Sequence, residues 1–289
     1  MQFLKKLTPL KAPSLLCLLL AITLIFCSCS APTDSASPSS ETPAAPEITI
    51  TAADTETDSE TATHIRLDEI QGPCKITQAG SYLLSGATSQ GVVVDAQEQV
   101  IHIILDCVTV DTAWGPALEI VSAGKVILSL PENSESTFRD SGAYPKDAQA
   151  DACIYSNCDL TINGSGSLSV YGFFKDAIHT KDVLKILGGS CFIQSKRDGL
   201  HGNDGIVINQ ADITVQSERN GLFSTKTGKP GKGNVEIYNS ICSVIGGHYA
   251  VSCAANLYIA DCTMHAMGVY DRFSAAGTSY IAEGSLSDE

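Results

Sequence analysis

Positive charge is in short supply in this sequence: 18 Lys and Arg stand against 32 Asp and Glu, for a formal net charge of −14. Nucleic-acid binding depends on clustered cations, so an acidic chain argues against that partner. A polyanion held through a metal ion remains compatible, because the metal supplies the opposite charge. The apolar run at residues 15–26 is about a dozen long, well short of the roughly 20 residues of a membrane-spanning helix. Beyond it, no segment sustains the i, i+3, i+4 apolar spacing of an amphipathic helix. Eleven cysteines contain no CxxC pair and no Cys/His zinc spacing, which excludes the familiar structural zinc modules. The GGxGxDxUx nonapeptide of calcium-binding RTX rolls is also missing.

What is present begins with an export signal. Lys5, Lys6 and Lys11 precede the apolar run, which ends in FCSCS. This resembles a bacterial lipoprotein signal spanning residues 1–28, with cleavage before Cys29 and lipid on its thiol. The expected location is the outer face of the bacterial cell membrane, with membrane contact only through that anchor. Residues 31–64 carry seven carboxylates, no Lys or Arg, and much Pro, Ser, Thr and Ala. Such a segment buries too little apolar surface to offset its ordering entropy, so residues 29–64 are expected to form a flexible tether. The folded domain is expected at residues 65–289.

Within that domain, residues 176–197 and 198–219 are the same 22-residue unit written twice. Asp176 falls on Asp198, His179 on His201, Asp182 on Asp204 and Ile186 on Ile208. Extending the register places Ile154, Ile178, Leu200, Leu222 and Val251 at one position. Leu160, Leu184, Ile206, Val235 and Leu257 share another, once a seven-residue insertion after Phe223 is allowed for. Each opens an apolar–polar–apolar triplet, the period of a strand with one buried face, and Gly and Asn cluster between triplets where the chain must turn. Cys191 and Cys242 take an inward position filled elsewhere by Leu168, Ile213 and Met264, as thiols used as small hydrophobes do. The pattern predicts an all-β fold: a single parallel β-helix of about seven coils with a period of about 22 residues.

The runs ITQAGSYLLSG and IYSNCDLTINGSGSLSV, with the pair DAIHTKD and DGLHGND, resemble the bacterial carbohydrate-binding β-helix proteins related to family-nine pectate lyases. The resemblance covers roughly residues 65–271. It implies a right-handed β-helix, bound calcium, and affinity for polysaccharides, acidic ones such as polygalacturonate in particular. Cys107 departs from it, standing where members usually have Gly.

In stacked coils, Asp176 lies above Asp198, and Asp182 above Asp204, each about 5 Å apart. Two unit charges at that distance repel by about 0.8 kcal/mol in water and more at a less hydrated surface. Calcium takes about six to eight oxygens, a demand that paired carboxylates and turn carbonyls meet. Asp176, Asp182, Asp198 and Asp204 are the first-choice ligands, and Asp159 and Asn220 extend the set. The same residue types also favour turns without any metal; spacing leaves both readings open, and the resemblance favours calcium. Tyr155, His179, His201 and Phe223 each follow an inward residue, which predicts an outward row of rings suited to sugar faces. Lys175, Lys181 and Arg197 lie near this row, where they could meet an anionic chain. Lys226, Lys229 and Lys232 in the insertion could do so too, or simply solvate a loop.

The expected function is surface-anchored, calcium-dependent, non-catalytic binding of an acidic polysaccharide by a monomer. Two alternatives are a calcium-dependent polysaccharide lyase, with one of Lys175, Lys181 or Arg197 as base, and a surface scaffold or adhesin.

Overall fold

The computed structural model describes residues 47–56 and 61–287. The signal segment, Cys29 and the tether as far as residue 46 lie outside the described residues. The chain forms a parallel β-helix. One nine-stranded sheet and one fourteen-stranded sheet run the length of the stack, and the ladder pairs throughout are parallel. Each coil contributes a short strand to the first sheet and a longer passage to the second. In the passage Asp159–Gly172 the ladder shifts register at Gly164, which divides it into a first and a second limb. The coil therefore has three outward faces: the short sheet, the first limb and the second limb.

The apolar columns read from sequence are the columns of the structure. Ile154, Ile178, Leu200, Leu222 and Val251 are paired in order on the short sheet. Leu160, Leu184, Ile206, Val235 and Leu257 are paired on the first limb. All ten are essentially inaccessible to solvent, and burying each branched side chain contributes about 1.5–3 kcal/mol. Cys191 and Cys242 sit in the inward column with Leu168, Ile213 and Met264. The cysteines of the described domain are free thiols.

The corner between the limbs demands left-handed backbone. Gly164 and Gly188 have φ of 103° and 122°, and a Cβ on Gly164 would stand 2.2 Å from the Leu130 carbonyl oxygen. Gln210, Asn239 and Asp261 take the same corner at φ of 51–55°. Cys107 does so as well, at φ 55°. Gly would avoid a backbone penalty at this position.

Two expectations need correcting. Among the described residues there are nine short-sheet coils, not about seven. The two extra ones come from the ends of the short sheet, Cys74–Ile76 and Asp271–Ala275, where the first is only three residues long and the second is largely exposed, so the alternating pattern fades. The expected tether also ends before residue 64. Residues 47–56 lie on the outer side of the first limb, meeting Glu236, Lys185, Thr161 and Lys125 on four of its strands. Glu236 accepts the backbone N–H groups of Glu47 and Ile48, and Lys185 donates to the Thr49 carbonyl. Asp54 is fully buried, receiving Lys125 at 2.7 Å, Lys185 at 2.9 Å and the Thr161 hydroxyl at 2.7 Å. Burial alone would raise the Asp54 pKa; these donors override it and hold the group far below the usual carboxylate range. A segment with little apolar surface docks here through ion pairs and backbone bonds.

Candidate functional site

The two repeat aspartates of each coil belong to different places. Asp176 opens the strand Asp176–Thr180, and Asp182 lies beyond its far end. About 13 Å of strand separates Asp176 from Thr180 alone. The six expected calcium ligands therefore divide into two columns and cannot share one ion.

The inner column is Asp176, Asp198 and Asn220. Both aspartates are fully buried. Arg197 donates from Nε to Asp176 Oδ1 and from a terminal nitrogen to Oδ2, both at 2.6 Å. One coil later, Arg219 grips Asp198 in the same two-pronged way. Asp176 Oδ1 also accepts the Asp198 N–H, and Asp198 Oδ1 accepts both the backbone and the side-chain N–H of Asn220. Burial pushes the Asp176 pKa up, but Arg197 and His201 more than reverse this and hold it low. Arginine from the following coil thus offsets the stacked negative charge, and Asn220 faces the column as a donor, not as a metal ligand. Asp176, His179 and His201 present ligand atoms within 4.8 Å of one another. Their Nδ1 and carboxylate atoms are already taken: His179 by Asp151 at 2.5 Å, His201 by Asp176 at 3.0 Å, and Asp176 by Arg197. This donor set does not suit calcium.

The outer column is Asp159, Asp182 and Asp204. Asp182 and Asp204 are stacked in register, and Asp159 stands one residue off, accepting the Val183 N–H. Burial, then the charges of Asp159 and Asp204, raise the Asp182 pKa. Asp204 is buried. Its Oδ2 takes Lys232, while its Oδ1 makes no hydrogen bond and the Lys226 amine stands off at 3.5 Å. The bond to Asp204 raises the Lys232 pKa. The carboxylates of this column offer hard oxygen donors, one of them a buried oxygen lacking a hydrogen bond, whereas among the described residues the set that brings ligand atoms within 4.8 Å of one another is Asp176, His179 and His201. Lys181 is exposed beside this edge, its amine 5.6 Å from the Tyr155 ring centre.

The ring row exists but is not open. Tyr155, His179, His201 and Phe223 follow one another with centroids 5.5, 4.0 and 4.8 Å apart, the two histidines stacked face to face, Tyr155 edge-on and Phe223 tilted. The first three are buried at 2, 3 and 6% exposure, which corrects the expectation of a free platform for sugars. The cause is a segment the repeat pattern passes over, residues 141–151. Tyr144 and Ala150 pack on Tyr155, Tyr144 stacks on Phe174 at 4.2 Å, and Asp151 closes on both His179 and Arg197. Arg197, expected to meet ligand, is spent on Asp176 and Asp151. Lys175 is half-buried, with its amine 4.9 Å from the Phe174 ring centre. Trp114 is 63% exposed.

Sequence reading missed Arg219, Asp151 and Asp54. Only the first left a signal: both copies of the repeat end in Arg.

The chain compares well with known proteins. A family model described as carbohydrate-binding domain-containing protein matches residues 71–285. The chain belongs to that family. A member from Acetivibrio thermocellus, with the same description, is 35% identical over 127 residues, covering 42% of this chain and 44% of the relative. The match thus spans less than half of that relative's length. Among solved structures, a polysaccharide lyase-like protein from C. thermocellum, determined as a gadolinium derivative, superposes with a TM-score of 0.72 at 28% identity. That match covers 77% of this chain and 97% of the other.

Proposed function

We propose that this chain is a non-catalytic, calcium-dependent module that binds an acidic, polygalacturonate-like polysaccharide at the bacterial cell surface, held there through a lipid on Cys29. The observation that carries the reading is the outer column: Asp159, Asp182 and Asp204 together, one buried carboxylate oxygen without a hydrogen bond, and lysines at the rim. These three aspartates are the residues that would hold calcium. When bound, calcium would offset their mutual repulsion and offer its remaining coordination positions to a uronate carboxylate. Lys181, Lys226 and Lys229 would meet further carboxylates of the same chain, an interaction that weakens with salt. Lys232 holds Asp204 in place.

Binding is favoured over lyase chemistry by the state of two cations, Lys232 and Arg197. A lyase needs a neutral amine, or another base, within reach of the sugar's C5 proton. Lys232 is tied to Asp204 and its pKa is raised. Arg197 is locked between Asp176 and Asp151 and its pKa is raised as well.

Affinity electrophoresis in polygalacturonate gels tests the proposal. Wild type should be retarded with calcium and run free with a chelator, and Asp182→Ala should run free in both. Retardation that ignores the chelator rejects the calcium bridge. Appearance of unsaturated products absorbing in the near ultraviolet would assign the protein to the lyases instead.

A further inference from the structure

The strap formed by residues 47–56 meets the lysine insertion, residues 224–233, beside the outer column. Ile48 packs directly on Gly205, the residue after Asp204: a Cβ on Gly205 would stand 2.7 Å from Ile48 Cδ1. The Asn234 side chain, two residues after Lys232, donates to Glu47 Oε2 at 3.1 Å. Gly231, just before Lys232, lies against the same carboxylate, which would be 3.8 Å from a Cβ placed there. Glu236 holds this end of the strap down by accepting the Glu47 and Ile48 N–H groups at 2.8 and 3.1 Å. The end of the strap therefore touches both chain segments that carry the Lys232–Asp204 pair.

We propose that the strap end is an autoinhibitory clasp on the outer column. Docked, Glu47 and Ile48 hold the loop so that Lys232 occupies Asp204; released, they leave that carboxylate to a cation. The clasp deepens the calcium reading and rests on it for the identity of the cation. Lys232 and a metal ion compete for the same Asp204 oxygens, so whatever steadies the lysine weakens the metal. The loop depends on outside support. Its tip, residues 227–231, is exposed, and Gly228, Gly231 and Gly233 take φ of 69–81°, a conformation that costs glycine little to leave. Its base is tied separately, by the Lys226 N–H to the Asn203 carbonyl at 2.8 Å and the Gly233 N–H to the Asp204 carbonyl at 2.7 Å, so release frees the tip without unfolding the coil. The strap also opens in a set order. Its far end is fastened by buried Asp54 to Lys125 and Lys185, whereas Glu47 is exposed, so a pull on the chain before Glu47 reaches the clasp first. Coupling of this kind is reciprocal: a cation on Asp204 loosens the strap end by the factor by which docking weakens the cation.

Hydrogen exchange on the intact chain, joined to calorimetric titration with calcium, tests the clasp. In chelator, the double variant Glu47→Ala/Ile48→Ala should speed amide exchange at residues 224–233. Residues 141–151 and the first-limb strands should exchange as in wild type, which shows that the variant folds. Unchanged exchange at residues 224–233 overturns the proposal. The double variant should bind calcium about three- to tenfold more tightly than wild type. Adding Lys232→Met to it should bring little further gain, because both changes free the same carboxylate. Unchanged affinity in the double variant, or full additivity with Lys232→Met, rejects the inhibitory role. Failure of wild type and all variants to bind calcium removes the calcium reading, and exchange in chelator then decides the clasp by itself.

Discussion

The two aspartate columns arise from the same 22-residue unit, six residues apart, yet they resolve the same electrostatic problem differently. In the inner column, Asp176 and Asp198 are fully buried, and each is clamped by an arginine 21 residues later. In the outer column, burial and the charges of Asp159 and Asp204 push Asp182 toward its neutral form, and the compensating lysines come from the inserted loop. The inner column is built as structure: its charges are paired within the repeat itself, as buried charges must be. The outer column keeps unbalanced negative charge at a rim, as a cation site does. Stacked acids alone, therefore, do not indicate a metal; what matters is whether the protein has already supplied the counter-charge.

The largest effect should come from the inner column. Asp176→Asn keeps the shape but leaves Arg197 and His201 without their buried anion, a loss of about 3–5 kcal/mol, read from the urea midpoint. The same change in the outer column, Asp182→Asn, should cost nothing when calcium is absent. Equal losses in both would erase the distinction drawn here.

Second in size is the calcium increment. At a hundredfold excess over its dissociation constant, a ligand bound only by the folded state adds about 2.7 kcal/mol. Calcium should raise the melting temperature of wild type accordingly, and chelator should reverse the rise. Asp182→Asn should show none of it. A calcium response that persists in that variant would relocate the ion.

The pH dependence should carry opposite signs. Asp176 has a lowered folded-state pKa, so its contribution is present above the ordinary carboxylate pKa and is lost as pH falls through the lowered value. Asp182 has a raised one, so its contribution is present only below the ordinary value and is lost as pH rises through the raised value. In chelator, Asp182→Asn should thus be more stable than wild type at neutral pH, by up to about 1 kcal/mol from the relieved repulsion. The gain should fade in acid. Denaturant titrations of both variants from pH 3 to 7, the range spanning the ordinary carboxylate pKa, check the two signs together.

How much of this was legible beforehand follows from how far each feature depends on the repeat. The columns from Ile154 to Val251 and from Leu160 to Leu257 were visible because stacking imposes one residue type at one phase. The division of the aspartates into two sites is a finding of the structure: the strand Asp176–Thr180 separates residues expected as one ligand set, and the arginines that end each copy are its trace in the sequence. Residues 141–151 and 47–56 were not legible. Each docks through a few point contacts, Tyr144 on Tyr155 in one and Asp54 on two lysines in the other, and neither carries a period. Both cover a face that the pattern alone leaves bare, which is why the ring row looked open.

The smallest effect sharpens the comparison most. Lys232 is half-exposed while its partner Asp204 is buried, and the Lys226 amine remains 3.5 Å from that carboxylate. Lys232→Met should therefore lower the melting temperature in chelator, by less than loss of the inner pair does. Removing that ammonium also removes a positive charge from beside the outer column, so calcium affinity should rise, and more steeply at low ionic strength, where the competing charge is least screened. The matching substitution Arg197→Met in the inner column should destabilise the fold and create no calcium site, because Asp176 and Asp198 would be left buried among backbone donors and histidines. Isothermal titration with calcium on the two variants separates a cation that stands in for a metal from one that replaces the need for it.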